Sequence, residues 1–203
     1  LTRPSHLSKS DIVDGARSNE LPKLEKYVEI DERYTSPVSP GESPFNSINL
    51  GGLEMNRYSP KTCATSNLNN QSIITVFRFA GLKVVVTGDN ESCSFNELMK
   101  DTSFKSAVKD ADILLAPHHG RDSGFHNDFV TEVNPRLTII SDGRFGDTSA
   151  TSRYSAKTRG WTVHSRANGS KNRKVLTTRN DGVISLEIGI DNSKKPFLGV
   201  YID

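Results

Sequence analysis

Short apolar strands alternate with helical stretches in the middle of this 203-residue chain, and this alternation constrains the fold more than any other feature. Residues 72–79 and 82–87 are two β-branched runs around a glycine-containing turn, which predicts a hairpin in a buried sheet. Apolar runs at 112–116 and 137–141 predict two further buried strands, and the stretches between them have helical spacing. The order strand, helix, strand, helix, strand predicts a layered α/β fold.

The N-terminal part of the chain carries weaker patterns. Residues 1–33 predict surface turns and one or two short helices. The segment 34–60 is rich in Pro and Gly and predicts a long connection with one strand near 53–57. We therefore expect an N-terminal surface and connecting region at 1–60, followed by the main part of the same domain at 61–203.

The C-terminal part predicts a second group of strands. Apolar runs at 161–164, 174–178 and 183–188 have strand character. The last two are separated by Asn-Asp-Gly at 180–182, a pattern typical of a tight hairpin turn. We expect these two strands to pair with each other.

Composition excludes several classes of protein. The chain is 34% hydrophobic and 25% charged with a net charge of +2, which is typical of a globular domain. No window approaches the roughly 18 consecutive apolar residues of a membrane helix, so we expect no membrane association.

Cys63 and Cys93 lack Cys-x-x-Cys spacing and are interpreted as unpaired, partly buried side chains. This predicts a reducing compartment and a cytoplasmic location.

Polar residues of catalytic type follow three of the predicted strands. Asp89 follows the second strand of the hairpin, His118 and His119 follow the strand at 112–116, and Asp142 comes after the next strand. Strand ends are where functional residues collect in layered α/β folds. A carboxylate and a neutral imidazole on neighbouring strand ends can share a zinc ion. Adjacent residues on an extended chain point to opposite sides, so we expect only one of the two histidines to enter a metal's coordination shell easily.

These motifs resemble those of a known family. The hairpin ending in Thr-Gly-Asp at 87–89, the strand ending in Pro-His-His-Gly at 117–120 and the Ile-Ile-Ser strand end at 139–141 look like the metallo-β-lactamase superfamily. More narrowly, the chain resembles the hydrolase domain of ComEC-type competence DNA-uptake proteins and their free-standing relatives. The resemblance covers about residues 65–145. It implies an αββα sandwich that lacks its N-terminal part in this chain.

The resemblance also implies a metal centre. Asp89 would bridge two divalent ions, zinc or alternatively manganese, and also belong to the catalytic group. His119 would be a metal ligand. His118 would contact the scissile phosphate or the nucleophilic water, with direct metal ligation as the alternative role. Asn70 and Ser72, from the Asn-x-Ser before the hairpin, would line the same cavity and contact substrate.

Two features depart from the family pattern. The signature His-x-His-x-Asp-His, which supplies most of the metal ligands, does not occur in the sequence. The simplest account is that the chain begins just after that motif, so that a missing N-terminal segment or chain completes the site. The alternative is a relative that has lost its metals. In addition, the Gly-His-Pro common after the last of these strands is replaced by the polar stretch at 146–154.

A basic tract predicts a polyanionic substrate. Eight basic and no acidic residues lie between Ser152 and Arg179, namely Arg153, Lys157, Arg159, Arg166, Lys171, Arg173, Lys174 and Arg179. Such a local field suits phosphates, and a solvated basic face is the alternative. Lys171, Arg173 and Lys174 are the predicted substrate contacts in this tract. Tyr154 and Trp161 would either stack on bases or belong to the core.

Two residues after the histidine pair complete the predicted substrate site. Arg121 is a candidate phosphate clamp, and Ser123 is a further substrate contact. We therefore expect a metal-dependent hydrolase of the phosphodiesterase or nuclease type that uses a metal-activated water on a polyanion such as nucleic acid. The alternative is a metal-free relative that binds nucleic acid or a protein partner through the basic face without catalysis.

Overall fold

Two β-sheets and several short helices make up the chain in a computed structural model, which describes residues 7–14, 16–33, 50–64, 66–143 and 150–203. The strands of these residues are β1 (Glu54–Tyr58), β2 (Ile74–Phe79), β3 (Leu82–Val86), β4 (Ile113–Leu115), β5 (Leu137–Ile140), β6 (Trp161–Ser165), β7 (Gly169–Arg173), β8 (Val175–Thr177), β9 (Ile184–Ile190) and β10 (Pro196–Ile202). The α-helices are α1 (Lys9–Val13), α2 (Leu21–Glu32), α3 (Ser92–Leu98), α4 (Thr102–Val108), α5 (Asn127–Val133), α6 (Thr151–Lys157) and α7 (Thr178–Asp181). Short 3₁₀ turns occupy Leu68–Gln71, Pro117–Gly120 and Asp122–Gly124.

The first sheet contains the predicted hairpin and the predicted buried strands. Its order is β1-β2-β3-β4-β5-β8. The β1–β2 and β2–β3 pairs are antiparallel, whereas β3, β4, β5 and β8 run parallel to one another. All four residues of β5 are buried, as expected for a parallel strand covered on both faces. The layered α/β prediction is therefore confirmed, and the strand expected near 53–57 is β1.

Helices cover one face of this sheet, and the second sheet covers the other. Phe95, Phe104, Phe129 and Tyr154 extend from the helices into a fully buried cluster against the first sheet. The second sheet has the order β7-β6-β10-β9. A second apolar cluster includes Leu137 of the first sheet and Val200 of the second. The two clusters fix the first sheet in the middle of three layers.

The prediction that 174–178 and 183–188 form a hairpin is wrong. The first of these strands, β8, joins the first sheet beside β5, while the second, β9, pairs with β10 in the other sheet. The Asp181 carboxylate accepts a hydrogen bond from the Thr177 backbone N–H at 2.8 Å, and the segment between the strands forms helix α7 instead of a two-residue turn. Burial of Leu176 between the sheets is the long-range contact that outweighs the local turn pattern.

The prediction of unpaired cysteines is also wrong. Cys63 and Cys93 form a disulfide, with their Cα atoms 5.9 Å apart. The bond connects the segment before β2 to helix α3, and such bonds are typical of oxidising compartments. The cytoplasmic location stays a prediction. Within the described ranges, no helix combines the length and the apolar character that crossing a bilayer requires.

The N-terminal helices form a small unit of their own. Ser8 caps α1 in a reciprocal capping box with Asp11, and Leu7, Ile12 and Val28 form a separate apolar cluster between α1 and α2. One or two short helices were expected over 1–33, and this prediction is confirmed. The connecting segment at 34–49 lies outside the described residues.

Candidate functional site

Four loops meet at one edge of the first sheet. Because β3, β4, β5 and β8 are parallel and in register, with Val86 opposite Leu115 and Ile140 opposite Thr177, their carboxyl ends lie side by side. The residues that follow these strands therefore share one edge, as the sequence predicted for Asp89 and the histidine pair.

The loop that carries Asp89 is built against Ser72. Gly88 has a φ of +60°, and a Cβ atom at this position would lie only 2.8 Å from the Ser72 Cβ, so the tight turn requires glycine. The Ser72 hydroxyl accepts a hydrogen bond from the Asp89 backbone N–H at 3.2 Å. The Asn90 side chain then donates to the Ser72 carbonyl at 2.9 Å. Ser72 thus fixes the Asp89 loop, and its contact with substrate stays a prediction.

The histidine pair lies on a left-handed turn. His118 and His119 have φ values of 47° and 55°, and Gly120 continues the turn with a φ of 72°. A Cβ atom at Gly120 would lie 2.8 Å from Ile140 Cγ2. The extended backbone that we assumed from the sequence is therefore wrong. The two rings nevertheless contact different partners, with ring centroids 6.4 Å apart.

His119 meets Asp89. Its Nε2 lies 3.6 Å from Asp89 Oδ1, and its Nδ1 lies 2.6 Å from the Ser141 carbonyl oxygen. Since a carbonyl only accepts, Nδ1 carries a proton, and Nε2 is the ring nitrogen that faces the carboxylate. Two ligands with bonds of about 2.0–2.2 Å to one tetrahedral ion are roughly 3.4 Å apart, so this pair has the spacing of two zinc ligands.

A complete metal centre is not formed by the described part of the chain. No group of three or more His, Cys, Asp or Glu side chains that could hold a metal ion occurs among these residues. Asp89 and His119 fit two positions of a coordination shell, and the hydrogen bond from His119 to Ser141 is the kind of second contact that orients a metal-binding imidazole.

Glu91 is a residue of the site that the sequence analysis missed. Its carboxylate oxygen lies 2.8 Å from His118 Nδ1, and the carboxylate also accepts hydrogen bonds from the side-chain amides of Asn67, at 3.1 Å, and Asn69, at 3.2 Å. The signal in the sequence was its position two residues after Asp89 in Thr-Gly-Asp-Asn-Glu. Three partners from two other segments converge on this one carboxylate.

Arg121 and Ser123 also contact the His118 ring, Ser123 at the same nitrogen as Glu91 and Arg121 at the opposite one. Arg121 Nη1 lies 3.2 Å from His118 Nε2, and Ser123 Oγ lies 3.0 Å from Nδ1. The Arg121 Nε is buried and makes no hydrogen bond within the described residues. Both residues thus lie at the predicted site, and their contact with substrate stays a prediction.

Asn70 fixes the backbone at the start of helix α3. It is buried, and its amide oxygen accepts hydrogen bonds from the backbone N–H groups of Glu91 and Ser94 at 3.1 and 3.3 Å. These contacts satisfy free donors at the start of α3 and fix the backbone of Glu91. This placement gives Asn70 a positioning role, while the predicted substrate contact stays untested.

Helix α3 also holds the segment that carries these asparagines. The Glu97 carboxylate accepts hydrogen bonds from the backbone N–H of Lys61 and from both the N–H and hydroxyl of Thr62. Partial desolvation acts to raise the pKa of Glu97, but these hydrogen bonds outweigh it, so the pKa is lowered. Together with the Cys63–Cys93 disulfide, this contact anchors residues 61–72 to α3.

The third strand-end carboxylate, Asp142, is engaged in an ion pair. Its side chain is buried, and the Arg179 guanidinium lies 3.2 Å from Asp142 Oδ2. Thr178 also shares hydrogen bonds with the Asp142 backbone. Asp142 therefore connects the loops after β5 and β8.

Several charges of the basic tract are paired in the structure. Arg153 contacts Asp122 at 3.0 Å, and Arg173 contacts Asp181 at 3.0 Å. Arg159 donates to two backbone carbonyls, those of Asn134 and Ala111. These contacts reduce the charge that the tract presents to a ligand.

The three predicted substrate cations lie away from the histidine pair. Lys171 and Arg173 belong to β7, the edge strand of the second sheet. Lys174 precedes β8, at the amino edge of the first sheet, whereas Asp89 and His119 follow carboxyl ends. Charges that are close in sequence are therefore spread over two sheets, and the structure does not bring these three to the Asp89 loop.

The two aromatic residues of the tract are accounted for by packing. Tyr154 is fully buried in the helix-side cluster, where its ring packs edge-on against Phe125 at 5.0 Å. Trp161 is half-buried between the sheets, with the Arg136 guanidinium 4.9 Å above its ring. Of the two alternatives given for these side chains, the core role is the one observed for Tyr154.

The fold and the site define a mixed α/β chain with two sheets and a carboxylate–imidazole pair at the carboxyl edge of one of them. No family model matches the chain. It is similar to ComE operon protein 3 of Bacillus subtilis (strain 168), with 27% identity over 97 residues. The aligned region is 48% of this chain and 12% of that protein, so the chain matches a small part of its relative's length.

Proposed function

We propose that this chain is part of a metal-dependent hydrolase with the metallo-β-lactamase sandwich, acting on phosphodiesters. The observation that carries the proposal is the Asp89–His119 pair, whose oxygen and nitrogen atoms are 3.6 Å apart. The hydrogen bond to the Ser141 carbonyl engages Nδ1 of His119 and leaves Nε2 as the nitrogen that would bind a cation shared with Asp89. The partial similarity to ComE operon protein 3 agrees with the ComEC-type resemblance of the motifs.

Asp89 and His119 are the residues of this chain that would hold a divalent ion, zinc or manganese, with further ligands supplied by a segment that these residues do not include. A bound ion of this kind supplies activation of a water molecule and neutralisation of charge on the substrate. The protein supplies the rest. Ser72 and Gly88 hold Asp89 at the edge of the sheet, and Ser141 orients His119.

Arg121 is the residue that favours a phosphate substrate. Its guanidinium lies beside His118, and its Nε has no partner within the described residues. A guanidinium offers donors in a planar arrangement that matches phosphate oxygens. A polyanion such as nucleic acid is therefore the proposed substrate class, with recognition at Arg121 rather than at Lys171 or Lys174.

Metal binding and hydrolysis test the proposal together. The protein, including the segment that supplies the remaining ligands, is dialysed against Zn²⁺ or Mn²⁺, bound metal is measured, and bis(4-nitrophenyl) phosphate is the substrate. We expect Asp89→Asn and His119→Gln each to weaken metal binding at least tenfold, because each removes one of two ligands. His164→Gln is the matched control, since this exposed imidazole lies on β6 and contacts Ser170.

Three results would count against the proposal. Equal metal binding in Asp89→Asn and the wild-type protein would rule out Asp89 as a metal ligand. Hydrolysis that continues after the metal is chelated would show that the reaction does not need the metal. Salt-sensitive binding to nucleic acid that chelator leaves unchanged, without hydrolysis, would support the metal-free binding protein instead.

A further inference from the structure

We propose that Glu91 is the positioning residue for His118, and that it divides the roles of the two adjacent histidines. Glu91 fixes His118 with its proton on Nδ1 and its lone pair on Nε2. His118 is thereby kept at the site as a hydrogen-bond acceptor and is not a metal ligand, whereas His119 is the ligand. This assignment deepens the proposed function and rests on it for the catalytic consequence, but the tautomer itself does not depend on hydrolysis.

The hydrogen-bonding capacities of the neighbours determine the tautomer. An ionised carboxylate accepts hydrogen bonds and donates none, so Glu91, 2.8 Å from Nδ1, requires a proton on that nitrogen. A guanidinium donates and never accepts, so Arg121, 3.2 Å from Nε2, requires a lone pair there. Ser123 can donate or accept and is compatible with either state. Both neighbours therefore favour the same tautomer, and Glu91 makes the shorter of the two contacts.

The Glu91 carboxylate is itself held in place. The side-chain amides of Asn67 and Asn69 donate to its two oxygens, and its backbone N–H donates to Asn70. Only 19% of the Glu91 side chain and 12% of the His118 side chain are exposed. Since little water competes for this contact, its geometry has more influence on the imidazole than an exposed pair would have.

The charges around the two rings favour different ligands. Each histidine carries its proton on Nδ1, because His119 donates to Ser141 and His118 donates to Glu91. The Nε2 of His119 faces the Asp89 carboxylate, which attracts a cation. The Nε2 of His118 faces the Arg121 guanidinium, which repels one. A cation is therefore expected beside His119, and a group that donates a hydrogen bond or carries negative charge beside His118 and Arg121.

Nitrogen-15 NMR of the imidazole rings tests the tautomer directly. The full chain is labelled with ¹⁵N-histidine at alkaline pH without metal, and two-bond ¹H–¹⁵N correlations show which ring nitrogen carries the proton. His118 is assigned by its loss in His118→Gln. His126 is the internal reference for the opposite tautomer, because its Nδ1 accepts from the Phe129 N–H.

Two variants at and within helix α3 separate positioning from structural support. We expect Glu91→Gln to reduce the Nδ1-protonated population of His118 at least twofold, since the amide no longer accepts from all three donors and only the longer Arg121 contact still favours a proton on Nδ1. Glu97→Gln is the control, because Glu97 anchors the segment that carries Asn67 and Asn69 but does not touch His118. We expect Glu97→Gln to leave the tautomer unchanged.

The second measurement concerns activity. In the protein that includes the segment completing the metal site, with Mn²⁺ and bis(4-nitrophenyl) phosphate, we expect Glu91→Gln to lower kcat at least tenfold while the Kd for Mn²⁺ changes less than twofold. A proton on Nε2 in the wild-type chain, an unchanged tautomer in Glu91→Gln, or an equal change in Glu97→Gln would overturn the assignment. So would a matching loss of Mn²⁺ affinity, since it would make His118 a ligand. Absence of hydrolysis in the wild-type protein with its complete metal site would refute the proposed function, while the NMR result would still decide the role of Glu91.

Discussion

Removal of the Cys63–Cys93 disulfide is predicted to lower the stability of the chain substantially. The bond joins residues 30 positions apart, so it closes a loop of intermediate length in the unfolded chain. The chain-entropy relation for such a loop gives a stabilisation of about 3.7 kcal/mol at 25 °C. For a domain of this size, each kcal/mol corresponds to about 2–4 °C in Tm, so the double variant Cys63→Ser/Cys93→Ser should melt about 7–15 °C lower.

The calculated value is an upper limit because the other contacts of this segment remain in place when the disulfide is removed. Glu97 accepts hydrogen bonds from Lys61 and Thr62, and Gln71 donates to the Cys63 carbonyl. Helix α3 therefore still contacts this segment when the bond is broken, so removing the bond costs few folded-state contacts. Residual structure in the unfolded chain reduces the entropy gained on removing the bond below the ideal-coil value. We expect the measured loss of free energy of unfolding to lie between about 2 and 3.7 kcal/mol.

Thermal unfolding with and without a reductant measures this effect. The wild-type chain should lose stability on reduction, while the Cys63→Ser/Cys93→Ser variant should be unaffected by the reductant and match the reduced wild type. Thiol titration of the purified chain under non-reducing conditions is the control for the bond itself. Two titratable thiols in the native oxidised chain, or an unchanged Tm after complete reduction, would refute the reasoning.

Two further predictions concern one partly buried and one fully buried side chain on the helix side of the first sheet. Burial lowers the pKa of His126, so as the pH falls below about 6.5 the unfolded chain takes up a proton that the folded chain resists, and stability is lost down to the lowered pKa. His126→Asn keeps a capping side chain for α5, and urea unfolding on either side of that pH should show a weaker pH dependence for this variant than for the wild type. The Tyr154 hydroxyl is buried without a hydrogen-bond partner in the described part of the chain, and burial raises its pKa. Tyr154→Phe should therefore raise the free energy of unfolding by about 1 kcal/mol in a denaturant titration, and a loss of similar size would reveal a partner for the hydroxyl.

Local sequence patterns correctly predicted the strands of the first sheet that are buried on both faces. The β2–β3 hairpin and strands β4 and β5 read as continuous apolar runs because parallel strands in the middle of a three-layer fold meet side chains on both faces. Because the carboxyl ends of parallel strands share one edge of a sheet, the sequence also predicted that Asp89 and His119 lie at the same edge of the first sheet. The sequence analysis missed strands β7 and β10. Strand β7 has the polar sequence Gly-Ser-Lys-Asn-Arg and is largely exposed at the edge of its sheet, so it shows no apolar pattern.

Features that depend on contacts between distant segments were not predictable in this way. The disulfide requires Cα atoms 5.9 Å apart across 30 residues, and no spacing rule in the sequence encodes that distance. Glu91 acquires its role from Asn67, Asn69 and His118, which lie on two other segments. The pairing of β8 with β5 likewise prevailed over a local Asp-Gly signal.

The backbone at the histidine pair indicates why two identical side chains have different surroundings. A left-handed conformation at a non-glycine residue is unfavourable by about 1–3 kcal/mol, and here it occurs at both His118 and His119 in succession. An extended strand end would avoid this strain and would direct the two rings to opposite faces of the sheet. The observed turn instead keeps both rings at the same edge, one against Asp89 and the other against Glu91. Backbone strain of this kind clusters at functional sites, so two strained residues in succession support the proposed placement of the site at this turn.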